Sequence, residues 1–194
     1  MTEKQNTIKE QNKINDKEFP EGRKIPEKKK IFLIGFMGCG KSTVASGLEA
    51  LFGFRKIEMD KEIESREGRT ISRIFAEEGE PFFRDLETEF LRELADDQRN
   101  LVISCGGGAA MREENVDLMK NQGIIVYLTA SPGTILERTR NSHNRPLLEG
   151  NKNLSYIGEL LNRRAPHYEK AADIMVPTDG RKICEICREI ISCL

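Results

Sequence analysis

The run Gly35-Phe36-Met37-Gly38-Cys39-Gly40-Lys41-Ser42-Thr43 constrains this chain more than any other stretch. It fits G-x-x-x-x-G-K-[ST], the pattern of a phosphate-binding loop. Its flanks fit too: Ile31 to Ile34 reads as a short buried strand, and Thr43 onward as a helix with Val44, Leu48 and Leu51 on one face. A strand that enters a glycine-rich turn and leaves as a helix aims several backbone N–H groups, and the positive helix end, at one point. A polyphosphate suits that point. Lys41 is expected to reach the β- and γ-phosphates, and Ser42 to offer its hydroxyl to Mg²⁺. The bland alternative is a tight glycine turn, which Gly-Lys-Ser between a strand and a helix disfavours.

The rest of the chain alternates strands and helices. Gly53 is expected to end the first helix, followed by a strand over Phe54–Met59 and then Asp60. Helices are expected over Lys61–Glu67, Thr70–Glu78 and Phe82–Ala95, with Gly79-Glu80-Pro81 as the break between the last two. Leu101–Ser104 reads as a strand that stops at Gly106-Gly107-Gly108, followed by a helix over Arg112–Asn121 and an apolar strand over Gly123–Leu128. Ser131 and Pro132 suit the start of a helix to about Arg140. Asn141 to Asn153 reads as a polar loop, Leu154–Arg164 as a helix ended by Pro166, Ala172–Val176 as a strand, and about Gly180 onward as the last helix. Such alternation predicts an α/β fold with a parallel sheet covered on both faces, whose ligands sit beyond the carboxyl ends of the strands. The phosphate loop, Asp60, the three glycines and the loop after Leu128 all follow strand ends, so they are expected to meet in one crevice.

Composition narrows the class. A net charge of −1 provides no global field for nucleic acid or an anionic membrane, and no apolar run approaches the roughly 18 residues of a membrane span. Residues 1–29 are rich in Lys, Glu, Asn and Gln with Phe19 as their one aromatic, which predicts a solvated, disordered extension without the apolar core of a secretion signal. Five cysteines in such a chain predict free thiols and a cytoplasmic location. Cys184-x-x-Cys187 is outweighed as a metal or redox pair by the stripe Ile183, Ile186, Cys187, Ile190 and Leu194, which places Cys187 in core packing.

Several side chains have two readings. Asp60 either caps the helix after its strand or accepts a proton from an attacking hydroxyl. Glu58, two positions earlier, is expected on the same side and can help hold hydrated Mg²⁺. Arg84 and Glu87 are helix neighbours, either a surface ion pair or an arginine held ready to grip an acid. Arg164 is in phase with Leu154, Ile157 and Leu161, and an inward arginine needs an anionic partner such as a substrate carboxylate. Three consecutive glycines at a strand end suggest a ligand lying against bare backbone. Arg145 is either a solvated charge or a cation that closes over the phosphates.

In order, Gly-Lys-Ser, Glu-x-Asp, Phe-Arg-x-x-Glu, Gly-Gly-Gly, Arg-Pro-Leu-Leu and Arg-Ala-Pro make the chain from Ile31 onward resemble the shikimate kinase family, in the nucleoside-monophosphate-kinase-like P-loop group. The resemblance implies a three-layer α/β/α fold with five parallel strands, the phosphate-loop strand in the middle, and a lid at about 141–153 within a domain spanning 30–194. It implies transfer of the γ-phosphoryl of MgATP to the 3-hydroxyl of shikimate, with Mg²⁺ as cofactor, no nucleic acid or membrane partner, and a monomer. Gly38, Cys39, Gly40, Lys41, Ser42 and Thr43 would hold the ATP phosphates and Mg²⁺. Arg138 would flank adenine, with Thr178 to Arg181 on its other side, and Arg145 would be the lid arginine. Asp60 would bind the ring hydroxyls and act as base. Arg84 and Arg164 would grip the carboxylate, Glu87 would orient Arg84, Gly106, Gly107 and Gly108 would lie against the ring, and Phe75 and Phe83 would line the pocket. The family's usual Asp-x-Asp is Glu58-Met59-Asp60 here, so Glu58 is expected to reach the metal through water. Two rivals stand beside this: a related small-molecule kinase, acting for example on gluconate, and a non-catalytic binding protein of the same fold.

Overall fold

The computed structural model describes residues 30–140 and 153–194. The expected tail over 1–29 and Arg145 lie outside the described residues, as does the expected lid segment apart from Asn153. Strands β1 (Lys30–Ile34), β2 (Arg55–Glu58), β3 (Leu101–Ser104), β4 (Gly123–Thr129) and β5 (Ile174–Pro177) form a parallel sheet in the order β2-β3-β1-β4-β5. The strand that feeds the phosphate loop is thus central, paired to β3 from Lys30↔Leu101 and to β4 from Lys30↔Gly123.

The described helices are α1 (Lys41–Phe52), α2 (Met59–Glu67), α3 (Ile71–Glu77), α4 (Gly79–Glu93), α5 (Glu113–Gln122), α6 (Pro132–Thr139), α7 (Leu154–Ala171) and α8 (Ile183–Ser192). Short 3-10 turns follow α4 at Leu94–Asp96 and the triple glycine at Ala109–Met111. Successive strand residues face opposite ways, and this divides the core. Phe32, Ile34, Ile103, Ile125 and Tyr127 pack on one side with residues of α2, α3, α4, α5 and α7. Ile31, Leu33, Val102, Val126 and Leu128 pack on the other side, under Val44 and Leu48 of α1 and Ile186, Cys187 and Ile190 of α8. Both faces are covered, so the central strands β1, β3 and β4 are largely apolar rather than alternating. Cys187 is core, as its stripe implied. No helix among the described residues is long and apolar enough to cross a membrane.

Several boundaries differ from expectation. Pro166 does not end its helix: α7 runs on to Ala171 with Pro166 inside it. Proline removes one helical hydrogen bond, but the following turn is held from outside. Tyr168 and Ala171 are buried, and the Tyr168 ring stacks 5.1 Å from that of Tyr127. Leu154 starts that helix exposed rather than inward, and Leu51 is likewise exposed on α1. Gly79 is not part of a three-residue break. It opens α4 directly after Glu78, with φ 84°, a value that glycine alone adopts freely. The last helix starts at Ile183, and β5 is shifted to Ile174–Pro177. Strand β2 stops at Glu58, so Asp60 belongs to the first turn of α2. The argument that Glu58 and Asp60 leave one strand on the same side therefore fails.

Candidate active site

The phosphate loop leaves β1 at Ile34 and turns through Gly38 and Gly40, both left-handed with φ 81° and 105°. Helices α3, α6 and α7 are capped by the side chains of Thr70, Ser131 and Asn153, whereas no side chain caps α1 at Gly40. The first-turn N–H groups of α1 are therefore offered outward, at the positive end of the helix dipole. Lys41 lies across the same loop, its Nζ donating to the carbonyls of Gly35 (2.8 Å) and Phe36 (3.2 Å). Ser42 and Thr43 are exposed beside it.

The far wall of the loop is tied down by α6 and the segment after β5. Arg138 donates to the carbonyl of Cys39 at 3.2 Å and to Thr178 Oγ1 at 2.9 Å, and Thr178 Oγ1 donates to the same Cys39 carbonyl at 3.0 Å. Arg181 donates to the Pro177 carbonyl at 3.1 Å and pairs with Glu189 at 2.6 Å. Arg138 and the 178–181 segment therefore stand side by side at the edge of the loop. Cys39 itself is 1% exposed, which suits a small filler and leaves its thiol little access to an oxidant.

Beneath the loop, Ser42 Oγ donates to Glu58 Oε2 at 2.9 Å and lies 3.4 Å from Ser104 Oγ. Burial alone would raise the Glu58 carboxyl, but hydrogen bonds from Lys56, Ser104 and Ser42 outweigh it and hold the group below the usual glutamate range. A hydroxyl and an ionised carboxylate are hard oxygen donors of the kind magnesium takes. No cluster of three or more His, Cys, Asp or Glu suited to a metal occurs among the described residues.

The second half of the cleft is built around the three glycines. A Cβ on Gly106 would strike Glu87 Oε1 and stand 2.8 Å from Asp60 Oδ1, and a Cβ on Gly108 would strike the Arg84 guanidinium. The missing side chains thus leave room for the site's own charged groups, a purpose the sequence did not reveal. Arg164 reaches the same loop from α7, with Nη1 3.5 Å from the Gly107 carbonyl and its guanidinium 5.8 Å from the centre of the Phe36 ring. The Tyr168 hydroxyl donates to that carbonyl at 2.5 Å. A Cβ on Gly107 would lie 3.9 Å from the Gly35 carbonyl, the group that Lys41 holds. The phosphate loop and the glycine loop therefore share a wall, with one arginine from α4 and one from α7 beside it. Phe75 and Phe83 stack 5.0 Å apart, and the Arg84 guanidinium lies 5.4 Å over the Phe83 ring.

Arg84 pairs with Glu87 at 2.6 Å, and Glu87 is fully buried, so this is no surface ion pair. Glu80 also accepts from Arg84, at 2.6 Å, which leaves the guanidinium held from two sides. Behind it, Arg112 donates to the Arg84 carbonyl and to Thr88, and Thr88 donates to Asn115 at 2.7 Å. Asp60 is exposed along the cleft as a residue, yet its carboxyl sits against Gly106. Desolvation holds its pKa above the usual aspartate range, with Lys41 opposing and Glu58 and Glu64 adding. Glu87 is pushed up to about 7, chiefly by desolvation, with Arg84 opposing and Asp60 adding.

The sign of the Glu87 effect is testable. An acid whose folded pKa lies above its unfolded value binds more protons folded than unfolded between the two, so stability falls as pH rises through that window. Glu87 should make the protein lose stability from about pH 4.5 to about pH 7 and little beyond. In melting curves recorded across pH 4.5–8, Glu87→Gln is expected to flatten that decline, whatever its effect on the absolute Tm. Parallel pH profiles for the two proteins would contradict the assignment.

Ser104, Lys56 and Tyr168 were not singled out from sequence. Ser104 is the last residue of an apolar strand and Lys56 reads as an ordinary surface charge. Tyr168 lies beyond a proline expected to end its helix. Only the position of Ser104 at a strand's carboxyl end could have marked it.

The chain is similar in sequence and fold to known proteins. A sequence model of the family described as shikimate kinase matches residues 37–194. A shikimate kinase of Persephonella marina is 42% identical over 161 residues, 83% of this chain and 96% of that protein. The solved shikimate kinase from Acinetobacter baumannii in complex with shikimate superposes with a TM-score of 0.79 at 36% identity, covering 85% of this chain and 92% of that one. A gluconokinase from Sinorhizobium meliloti, at TM-score 0.50 and 19% identity over 85% of this chain and 90% of that one, shares the fold.

Proposed function

The chain belongs to the shikimate kinase family, and from that premise we propose how its cleft carries out the family's reaction. The activity is ATP-dependent phosphorylation of the 3-hydroxyl of shikimate, giving shikimate 3-phosphate and ADP, a step of the shikimate pathway toward the aromatic amino acids. Shikimate lies with its carboxylate between Arg84 and Arg164 and its ring along Gly106 to Gly108. One observation carries this: guanidinium groups from α4 and α7 reach a glycine loop that shares a wall with the phosphate loop.

The uncapped end of α1 and the loop from Gly38 to Thr43 hold the phosphates, and Lys41 turns from the Gly35 carbonyl toward them. Arg138 and Arg181 border the base. Ser42 and, through water, Glu58 would hold Mg²⁺, which would neutralise charge on the phosphate oxygens. Asp60 accepts the proton of the attacking hydroxyl. Its raised pKa brings its basicity closer to the working pH than that of a free aspartate, with Lys41 opposing the rise. Glu87 and Glu80 hold Arg84 in place before the acid arrives, so little ordering remains at binding. Phe75 and Phe83 form the apolar side of the pocket. Arg145 lies outside the described residues, and its part in spreading transition-state charge rests on the Arg-Pro-Leu-Leu motif alone.

The test is an ADP-release assay over a panel of acceptors. Shikimate should be turned over, while quinate, gluconate and nucleoside monophosphates should not. Turnover of gluconate at the rate of shikimate would show that the two arginines do not select the acceptor.

A further inference from the structure

We infer that Lys56, outside both the phosphate loop and the acid-binding set, is a positioning residue that holds Glu58 for the metal-bearing side of the phosphate site. The inference rests on the proposal that Ser42 and Glu58 face Mg²⁺.

Four residues close a ring between β2 and the first turns of α1, one link being the Ser42 backbone carbonyl. Lys56 and Glu58 are two apart on β2 and project from the same face. Lys56 Nζ donates to Glu58 Oε1 at 2.8 Å and to Ser46 Oγ at 2.9 Å. Ser46 Oγ donates to the Ser42 carbonyl at 3.1 Å, and Ser42 Oγ donates to Glu58 Oε2 at 2.9 Å. Each oxygen of the Glu58 carboxylate thus has its own donor, one from the strand and one from the phosphate loop. The side chains of Lys56 and Glu58 are only 22% and 17% exposed, so water competes less than at a fully exposed pair.

The length of Glu58 explains why such a partner matters. Glutamate carries one more rotatable bond than aspartate, and each added rotor widens the region its carboxylate sweeps unless something holds it. An aspartate at this position would bring its carboxylate near Ser42 with less freedom to lose, but one methylene shorter it could not keep both partners. The ammonium of Lys56 occupies Oε1 and leaves Oε2 turned toward Ser42. Lys56 therefore compensates for the longer acid. It touches no substrate and acts only through Glu58.

The test uses the full chain and measures ADP binding by calorimetry at a series of Mg²⁺ concentrations, so that the readout is metal-dependent affinity and not turnover. Lys56→Met keeps the aliphatic stem and removes the charge. It is expected to raise the Mg²⁺ concentration at half-effect by about tenfold, the lower end of the range for outer-shell partners of metal ligands. ADP affinity without Mg²⁺ and the KM for shikimate should stay unchanged, which a general loss of structure would not allow. Lys56→Arg should restore most of the effect, and Lys56→Gln serves as a second neutral variant should Lys56→Met fold poorly. Glu58→Asp should shift the same midpoint in the native background and add nothing in the Lys56→Met background. If Ser42→Ala moves the midpoint while Lys56→Met and Lys56→Gln leave it within twofold of the parent, the role of Lys56 is overturned. If Ser42→Ala and Glu58→Ala also leave it unmoved, the placement of the metal fails, and the role of Lys56 with it.

Discussion

Asp60→Asn is expected to lower kcat by about 10²- to 10⁴-fold, the usual contribution of a positioned general base. ATP binding should change little, since the Asp60 carboxyl sits against Gly106 of the glycine loop. The substitution keeps size and removes the proton acceptor, so it separates two roles that the geometry superimposes. Asp60 sits in the first turn of α2, where a carboxylate interacts favourably with the helix dipole. If that were its whole role, the variant would lose about 0.3–1 kcal/mol of stability and keep its turnover. Steady-state kinetics with calorimetric ATP binding and a melting curve distinguish the cases. An Asn variant with native kcat and a lowered Tm would leave Asp60 as a helix-end residue. In the parent enzyme the active form is the ionised one, so kcat/KM should rise with pH through the raised Asp60 pKa.

Arg164→Ala is expected to raise the KM for shikimate by about 100-fold with a smaller change in kcat, because charge-assisted hydrogen bonds to a carboxylate contribute about 1.5–3 kcal/mol each. Arg164→Lys should recover only part of this, since an ammonium cannot make the paired, planar contact of a guanidinium. Arg164 is the cleaner of the two arginines to test. Its contacts include a carbonyl of the glycine loop, the face of Phe36 and the Tyr168 hydroxyl, and no buried carboxylate is paired with it among the described residues. Arg84 is different: its removal would leave Glu87, fully buried, without its cation, a change that typically costs 3–5 kcal/mol and would confuse binding with folding. A shikimate analogue lacking the carboxylate gives the control. The parent and Arg164→Ala should treat it alike, and a large difference between them would show that Arg164 acts elsewhere than on the carboxylate.

Much of the fold is legible in the chain because its signals are local. Gly-Lys-Ser after an apolar run marks the phosphate loop, and the loop's geometry follows from positive φ at Gly38 and Gly40. Ser131 with Pro132, and Thr70 before an apolar helix, mark helix starts that the structure shows as capped. Leu101–Ser104 matches its expected bounds because a four-residue apolar strand between turn signals has few alternatives. The errors fall where a distant contact overrides a local preference. Pro166 should stop a helix, but burial of Tyr168 against Tyr127 and its hydroxyl on Gly107 hold the next turn.

The candidate site divides in the same way. Residue types and spacing by themselves selected the phosphate loop, the pairing of Arg84 with Glu87 three residues on, and a parallel sheet whose loops gather at one edge. Only the tertiary structure decided that Gly106 makes room for Asp60 and Glu87 and Gly108 for Arg84, that Arg164 and Tyr168 share the Gly107 carbonyl, and that Lys56 and Ser42 divide the two oxygens of Glu58. The reason is physical. Backbone preference and helical or strand periodicity act over a few residues and can be read along the chain. Desolvation and the matching of donors to acceptors depend on which segments meet, and that is set when the central strand brings residues far apart in sequence to a common wall.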